Sequence, residues 1–459
     1  MNGRPILTAA EIRAAEERVM ASGISVHELM DRAGQAAADA AWHFAGGVPT
    51  LVACGPGNNG GDGYVIARCL KARGADVRVA ASADPQTPAA IAARDAWDGP
   101  VGRLEDAVPG NLLIDALFGT GLSRGLDDAV AGQLARLANG ARRRIAIDLP
   151  SGVATDSGAL LSVVPDYDLT VALGTLKPAH LLQPAARHMG RLVTADIGLG
   201  TIESQLHVVE RPILRAPDPD AHKYSRGLVA VIGGTMAGAA ILAASAAQRA
   251  GAGMVVLSGM ARGGPAALVH RSEDAILDDE RVGALVIGPG LVPGDSATAS
   301  LDRALESGFP LVMDAGALRL LGNDATDRLK QLGSWPILTP HEGEFKEMFG
   351  DLAGSKIERT REAARVSGAV IILKGPDTVI ATPSGDAAIS ANAPPWLASA
   401  GTGDVLAGIV AACLASGLPT FKAAKAGVWL HGETARLAGP ALIADDLVDH
   451  LPVAFAACL

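Results

Sequence analysis

Leu51-Val52-Ala53-Cys54-Gly55-Pro56-Gly57-Asn58-Asn59-Gly60-Gly61-Asp62-Gly63 passes from a short apolar run through clustered glycines into helical periodicity. A strand that turns through glycines into a helix aims backbone N–H groups at whatever lies above the turn, which is the physical use of phosphate-binding loops. Gly55, Gly57 and Gly60 satisfy G-x-G-x-x-G, with a helix expected from near Gly61, and this points to a Rossmann-like parallel sheet. The dinucleotide fingerprint is incomplete. The next strand ends Val79-Ala80-Ala81-Ser82 with no acidic residue for a ribose before Asp84, and Asn58, Asn59 and Asp62 have no part in that fingerprint.

Outward from this loop, short β-rich runs alternate with helical stretches at Val77–Ala80, Leu112–Asp115, Ile145–Asp148, Leu169–Leu173 and Leu192–Ala195, the rhythm of a parallel α/β sheet. A second series runs through Leu228–Ile232, Met254–Leu257, Ala284–Ile287, Leu311–Asp314, Ile337–Thr339, Val370–Leu373 and Val379–Ala381. Between the two, Arg211 to Asp220 is rich in Pro and Asp, which disfavours regular structure. The 459 residues therefore divide into two α/β domains, expected at 1–211 and 212–459.

Composition removes several classes. A formal charge of -10 without a basic cluster argues against nucleic acid. Cys54, Cys69, Cys413 and Cys458 form no CxxC pair and read as small buried hydrophobes in a reducing, cytoplasmic setting. Met1 to Met20 mixes Arg and Glu into an apolar periodicity and reads as a first helix, not a signal peptide. The apolar stretches Val405–Pro419 and Ala237–Leu257 are too short or too interrupted to span a bilayer.

Two further loops follow strands of the first domain, Asp115-Ala116-Leu117-Phe118-Gly119-Thr120-Gly121 and Asp148-Leu149-Pro150-Ser151-Gly152. A parallel sheet brings its strand C-termini to one edge, so these loops should meet the asparagine loop. A lone Asp at a strand end reads as a helix cap, but three converging loops supply an amide oxygen, carboxylates and a hydroxyl. Such a set suits a hard cation, and Asp148 is a candidate general acid or base. Together with Gly174-Thr175-Leu176-Lys177-Pro178, these segments resemble the NAD(P)H-hydrate epimerase family, the YjeF N-terminal domains. The resemblance implies that Asn58, Asn59, Gly60, Gly61, Asp62 and Gly119, Thr120, Gly121, Leu122, Ser123, Arg124 hold the phosphates and ribose of the hydrate. It implies Asp148 at the reacting end, and Asn59, Asp115 and Ser151 as potassium ligands. Lys177 reads equally as a solvated surface lysine, while His180 and His188 lack a usable spacing and read as loop or surface residues.

In the second half, Ser399-Ala400-Gly401-Thr402-Gly403-Asp404 opens a strongly apolar helix. Small residues let a helix N-terminus approach a phosphate, and Asp404 stands where it could take a proton from a hydroxyl, a ribokinase-like anion hole. With no Gly-Lys pair there is no Walker A loop. Gly288-Pro289-Gly290-Leu291, Thr339-Pro340-His341-Glu342-Gly343-Glu344-Phe345 and Leu373-Lys374-Gly375-Pro376-Asp377-Thr378 complete a resemblance to the ADP/ATP-dependent NAD(P)H-hydrate dehydratases over most of 222–452. By that resemblance Gly290, His341, Asp404 and Ala239 would touch the hydrate, with Lys374, Gly375, Pro376, Asp377, Thr378 and Gly403 on the adenine nucleotide. That family often carries a proline where Ala237 stands. Phe345 occupies the second-histidine position of His-Glu-x-x-His, so zinc is not expected; Glu342 or Glu344 could meet magnesium through water or simply be a solvated helix start.

The resulting expectation is a bifunctional enzyme acting on NADHX and NADPHX. An N-terminal Rossmann-like three-layer domain with K+ would interconvert the R and S hydrates, and a C-terminal ribokinase-like domain with Mg2+ and ADP, or alternatively ATP, would dehydrate the S form. A homo-oligomer without membrane or nucleic-acid partners is expected. The alternatives are a small-molecule kinase with a nucleotide-binding N-terminal domain, and a non-catalytic module.

Overall fold

The protein is described by a computed structural model over residues 3–259 and 263–459; Met1 and Asn2 of the expected first helix lie outside the described residues. Its first compact unit is Pro5–Ser204. In chain order it contains α1 (Ala9–Ala21), α2 (Val26–Ala45), β1 (Thr50–Cys54), α3 (Asn58–Ala72), β2 (Val77–Ala81), α4 (Pro88–Asp95), β3 (Val101–Arg103), β4 (Leu112–Ala116), α5 (Asp128–Gly140), β5 (Arg143–Ile147), β6 (Leu169–Leu173) and β7 (Arg191–Ala195). The strands form one parallel sheet in the order β3-β2-β1-β4-β5-β6-β7. Because side chains alternate along a strand, Val52 and Cys54 join a core with α1 to α4 while Leu51 and Ala53 join one with α5. The result is the expected Rossmann-like three-layer sandwich. Strand order reverses between β1 and β4, the place where such sheets bind ligands at their C-terminal edge.

Helix α3 starts at Asn58, ahead of the expected Gly61. A Cβ on Gly55 would lie 1.8 Å from the Leu117 carbonyl oxygen, and one on Gly60 would lie 1.9 Å from the Gly55 oxygen. These glycines thus allow backbone-to-backbone packing of the β1 loop, the β4 loop and the helix. That close approach outweighs the poor helix propensity of glycine.

The second unit spans Gln205–Leu459, with Arg4 joined to it through a hydrogen bond from Val208 N to the Arg4 carbonyl. Its elements are β8 (Leu206–Val208), β9 (Leu228–Ile232), α6 (Ala237–Arg249), β10 (Met254–Ser258), β11 (Val269–His270), α7 (Glu273–Leu277), β12 (Val282–Ile287), α8 (Asp295–Glu306), β13 (Leu311–Met313), α9 (Gly316–Leu321), α10 (Ala325–Leu329), β14 (Ile337–Leu338), α11 (Glu342–Phe349), α12 (Lys356–Ser367), β15 (Val370–Leu373), β16 (Val379–Ala381), β17 (Ala387–Ile389), α13 (Thr402–Ala415), α14 (Thr420–Ala438) and α15 (Ala444–Ala456). The sheet order is β11-β10-β9-β12-β13-β14-β15-β16-β17-β8. Strands from β11 to β15 are parallel, but β16 runs antiparallel to both β15 and β17. The short link from Leu373 to Val379 is the reason, since a parallel crossover needs a dozen or more residues. β8 pairs with β17, so this sheet begins before Pro212.

Helices α6 and α13 touch through their backbones: a Cβ on Gly408 would lie 2.0 Å from the Ala243 oxygen. The cysteines are all free, three buried and Cys69 only half-buried. No helix among the described residues is long and apolar enough to cross a membrane.

Candidate active sites

At the switch point of the first sheet lies a cavity of about 550 Å³. Asn58, Asn59 and Asp62 from the opening of α3 line it, as do Gly119 to Arg124, Asp148 and Lys177, with Arg13 and Glu16 reaching in from α1. Gly60 and Gly61 are buried in the helix body, Gly61 facing the Met30 thioether. Of the first loop, then, Gly57 and three side chains face the cavity, while Gly55, Gly60 and Gly61 serve the packing behind it.

Asp148 follows β5 with φ +64, a left-handed conformation uncommon outside glycine that turns the chain sharply at the strand end. Its Oδ2 accepts from Thr120 N (2.9 Å) and Thr120 Oγ1 (2.5 Å); its Oδ1 accepts from Lys177 Nζ (2.5 Å) and Leu173 N (3.4 Å). Burial works to raise its pKa, but the Lys177 ammonium and the Thr120 hydroxyl hold it at about 2. Lys177 is therefore no surface residue: it is 1% exposed and also donates to the Leu173 carbonyl. His180 is likewise buried, against expectation. Its Nδ1 accepts from Lys177 N, which leaves Nε2 to donate to the Asp148 carbonyl at 2.7 Å, and burial pushes its pKa down to about 4. His188 stays at the periphery, beside Asp166.

Asp115 lies fully buried beneath the cavity. It accepts from Leu117 N, Ser151 N, Ser151 Oγ and Tyr167 Oη, and burial raises its pKa. The terminal amide nitrogen of Asn59 is buried without a partner. A half-turn of that amide exchanges nitrogen for oxygen, so the atom suits a ligand as an acceptor better than it suits the protein as a donor. Asp62 and Glu16 both have raised pKa values through burial, Asp62 well above the carboxylate range.

In the second unit the loops after β9, β12, β13, β14 and β15 again share the strand C-terminal edge. Gly290, at φ +78, packs its backbone against Met236, and a Cβ there would lie 2.4 Å from the Met236 oxygen. Ala239 stands half-buried on the first turn of α6. Gly401 caps α13 with φ +84, and a Cβ on Gly403 would fall 3.2 Å from Lys374 Nζ and 3.4 Å from Asp314 Oδ2. Lys374 donates to Asp314 at 2.7 Å and lies 4.0 Å from Glu344. Burial, then Asp314, raise the Asp404 carboxyl to about 7 against the pull of Lys374.

His341 is the N-cap of α11; its Nδ1 accepts from Gly343 N and Glu344 N. Of the two candidate carboxylates, exposed Glu342 pairs with Arg359 through both oxygens, whereas Glu344 is buried beside Lys374. Asp377 pairs with Lys356 at 2.7 Å beside Gly375, and Thr378 Oγ1 donates to the Gly375 carbonyl, folding Lys374–Thr378 into a tight turn. His431 on α14 holds the Thr402 carbonyl at 2.8 Å.

The sequence reading passed over Asp314, although the strand-end rule that singled out Asp115 and Asp148 applies to it equally. It also missed Arg13 and Glu16, because nothing local ties α1 to the cavity.

The model described as NAD(P)H-hydrate dehydratase matches residues 229–451, and that of the YjeF-related protein N-terminus matches 26–179. The chain is 33% identical to the bifunctional NAD(P)H-hydrate repair enzyme Nnr of Thermosynechococcus vestitus over 94% of this chain and 92% of that one. It is 35% identical to the Nnr of Gloeobacter violaceus over 93% and 92%. A solved ribokinase-like superfamily protein of Enterococcus faecalis matches 56% of this chain and 98% of its own, with TM-score 0.51 and 22% identity, a likeness of fold.

Proposed function

The chain belongs to the bifunctional NAD(P)H-hydrate repair enzymes, and we propose how its two units divide the epimerase and dehydratase activities between them. The first unit takes the R and S hydrates in its cavity. Their phosphates face Arg124, and the reduced ring points toward Asp148. The hydroxyl of the hydrate sits on a carbon bonded to the ring nitrogen. The nitrogen lone pair can expel it, and water can return on either face. Asp148, ionised and fixed by Lys177 and Thr120, stabilises the cation that forms between these events.

Asn59, Asp115 and Ser151 would hold K+. What supports this is the unpartnered amide of Asn59 and the oxygens of Asp115 and Ser151, whose mutual 2.7 Å hydrogen bond the cation would replace. Bound there, K+ would supply positive charge under the phosphate-facing loops.

In the second unit Asp404 takes the proton from the hydroxyl of the S hydrate as that oxygen attacks the terminal phosphorus of ADP, whose bond to the bridging oxygen breaks so that AMP leaves. The phosphorylated oxygen then leaves as phosphate, pushed by the ring nitrogen, and loss of a ring proton restores the reduced nicotinamide. Gly290, Ala239 and His341 would border the hydrate, and Lys374–Thr378 with Gly403 the nucleotide. Glu344 would hold Mg2+ through water, Glu342 being spent on Arg359. The magnesium would screen phosphate charge.

The observation that carries this reading is a half-buried Asp404 with its carboxyl near pKa 7 at the N-terminus of α13, which suits a base at neutral pH. The test is a mixture of R and S NADHX with Mg2+, K+ and ADP, followed by recovery of reduced-nicotinamide absorbance. Recovery beyond the S fraction, faster than spontaneous epimerisation, is expected. A halt at that fraction would remove the epimerase assignment, and phosphate retained on the product would turn the second unit into a kinase.

A further inference from the structure

We infer that Asp62, and not Asp148, carries the proton in the epimerase reaction. The inference rests on reading the first unit as the epimerase. Both residues line the same cavity, but their surroundings differ. Each oxygen of Asp148 already accepts two hydrogen bonds, from Lys177, Leu173 and twice from Thr120. A carboxylate with about four lone-pair sites has none left for a substrate hydroxyl. Asp62 projects from the opening of α3, is 7% exposed, and receives no hydrogen bond from any described residue. A carboxyl that lines the cavity without a protein partner is free to take one from the ligand.

The groups facing Asp62 fix its protonation. Burial opposes its ionisation most, Asp148 from the β5 loop and Glu16 from α1 add to that, and Lys177 after β6 favours ionisation without reversing the sum. Burial and its acidic neighbours thus favour the protonated form of Asp62 while Lys177 and Thr120 keep Asp148 ionised, an arrangement that separates a proton donor from a charge stabiliser.

The step balances without another reactant. Asp62 gives its proton to the hydroxyl oxygen; the C–O bond breaks with its electron pair going to oxygen, water departs, and the nitrogen lone pair forms a carbon–nitrogen double bond. Water then attacks the opposite face, its lone pair making the new C–O bond while the electrons of the double bond return to nitrogen. The proton that this water sheds returns to Asp62.

The experiment uses the full chain and an S-enriched NADHX sample without nucleotide, following the approach to R/S equilibrium by chromatography. Asp62→Asn is expected to lower kcat by roughly 100-fold or more with KM little changed. The wild type should lose kcat/KM as pH rises through the ionisation of Asp62, and the variant should lack that limb. Formate should restore turnover to Asp62→Ala, which shows the site intact. A variant within threefold of wild type in kcat, or one that loses only KM and keeps the alkaline limb, overturns the assignment while leaving the epimerase reading in place. A wild type no faster than spontaneous exchange overturns both.

Discussion

Lys177 Nζ lies 2.5 Å from Asp148 Oδ1, with the lysine side chain 1% and the aspartate 8% exposed, so the floor of the first cavity is a buried ion pair. Its carboxylate holds Thr120, and its backbone carbonyl is held by His180. One pair thereby joins the loops after β4, β5 and β6 into a single support.

Lys177→Met should therefore destabilise the first unit by about 3–5 kcal/mol, because it leaves a buried carboxylate unpaired. Adding Asp148→Asn to it should recover part of that loss, while Asp148→Asn alone should still abolish most epimerase turnover. Denaturant unfolding of the four chains closes the cycle; equal stability of Lys177→Met and wild type would show the pair to be idle. The pH sign follows from Asp148. Its folded pKa of about 2 lies below the unfolded value, so its contribution is present above about pH 4 and is lost as pH falls toward 2.

Asp404 should give the dehydratase an acid limb. A base with a pKa of about 7 must lose its proton to act, so kcat/KM for dehydration should rise tenfold per pH unit below that value and level off above it. Asp404→Asn should abolish dehydration and leave epimerisation at wild-type rates. Equal loss of both activities would contradict two independent sites.

Gly60→Ala should destabilise the first unit by more than the usual helical gain from alanine, on the order of 1–3 kcal/mol or more, because its Cβ would meet the Gly55 carbonyl at 1.9 Å. Gly57→Ala is the control. Open space surrounds that position at φ -95, so its unfolding midpoint should stay near wild type.

These glycines show where sequence is legible and where it is not. The run from Leu51 to Gly63 specified strand, turn and helix because period-two and period-3.6 patterns are local; strand-end acids announced the first site because a parallel sheet aligns its C-termini, and the glycine-rich start of α13 announced the second. Which glycine touches backbone and which faces a ligand depends on residues such as Leu117, more than fifty positions away. Lys177 and His180 were hidden for the same reason. Their partner Asp148 is distant in sequence, and a lysine in a Leu-Lys-Pro turn has no local mark of burial. β8 was missed because three residues carry no period, and its partner β17 lies some 180 residues on.

Potassium should matter to one activity only. Replacing K+ by Li+, or Ser151 by Ala, should slow epimerisation while dehydration of pure S hydrate keeps its rate, as read by parallel chromatography and absorbance assays. Ser151→Ala should also weaken the hold on Asp115 by removing its 2.7 Å hydrogen bond, at a cost of about 1 kcal/mol. Undiminished epimerisation in Li+ would remove the cation from the site.

Asp314 should tune Asp404 through charge. It is buried after β13, donates no proton to any ligand proposed above, and holds Lys374 at 2.7 Å. Its negative charge is the second largest cause, after burial, of the raised Asp404 pKa. Asp314→Asn removes that charge and frees the Lys374 ammonium to turn toward Asp404, and both changes favour the Asp404 carboxylate. The acid limb of kcat/KM should therefore move below pH 7, while the plateau falls because a stronger acid is a weaker base. A merely structural Asp314 would lower the plateau without moving the limb, so the pH profile of this one variant separates the two roles.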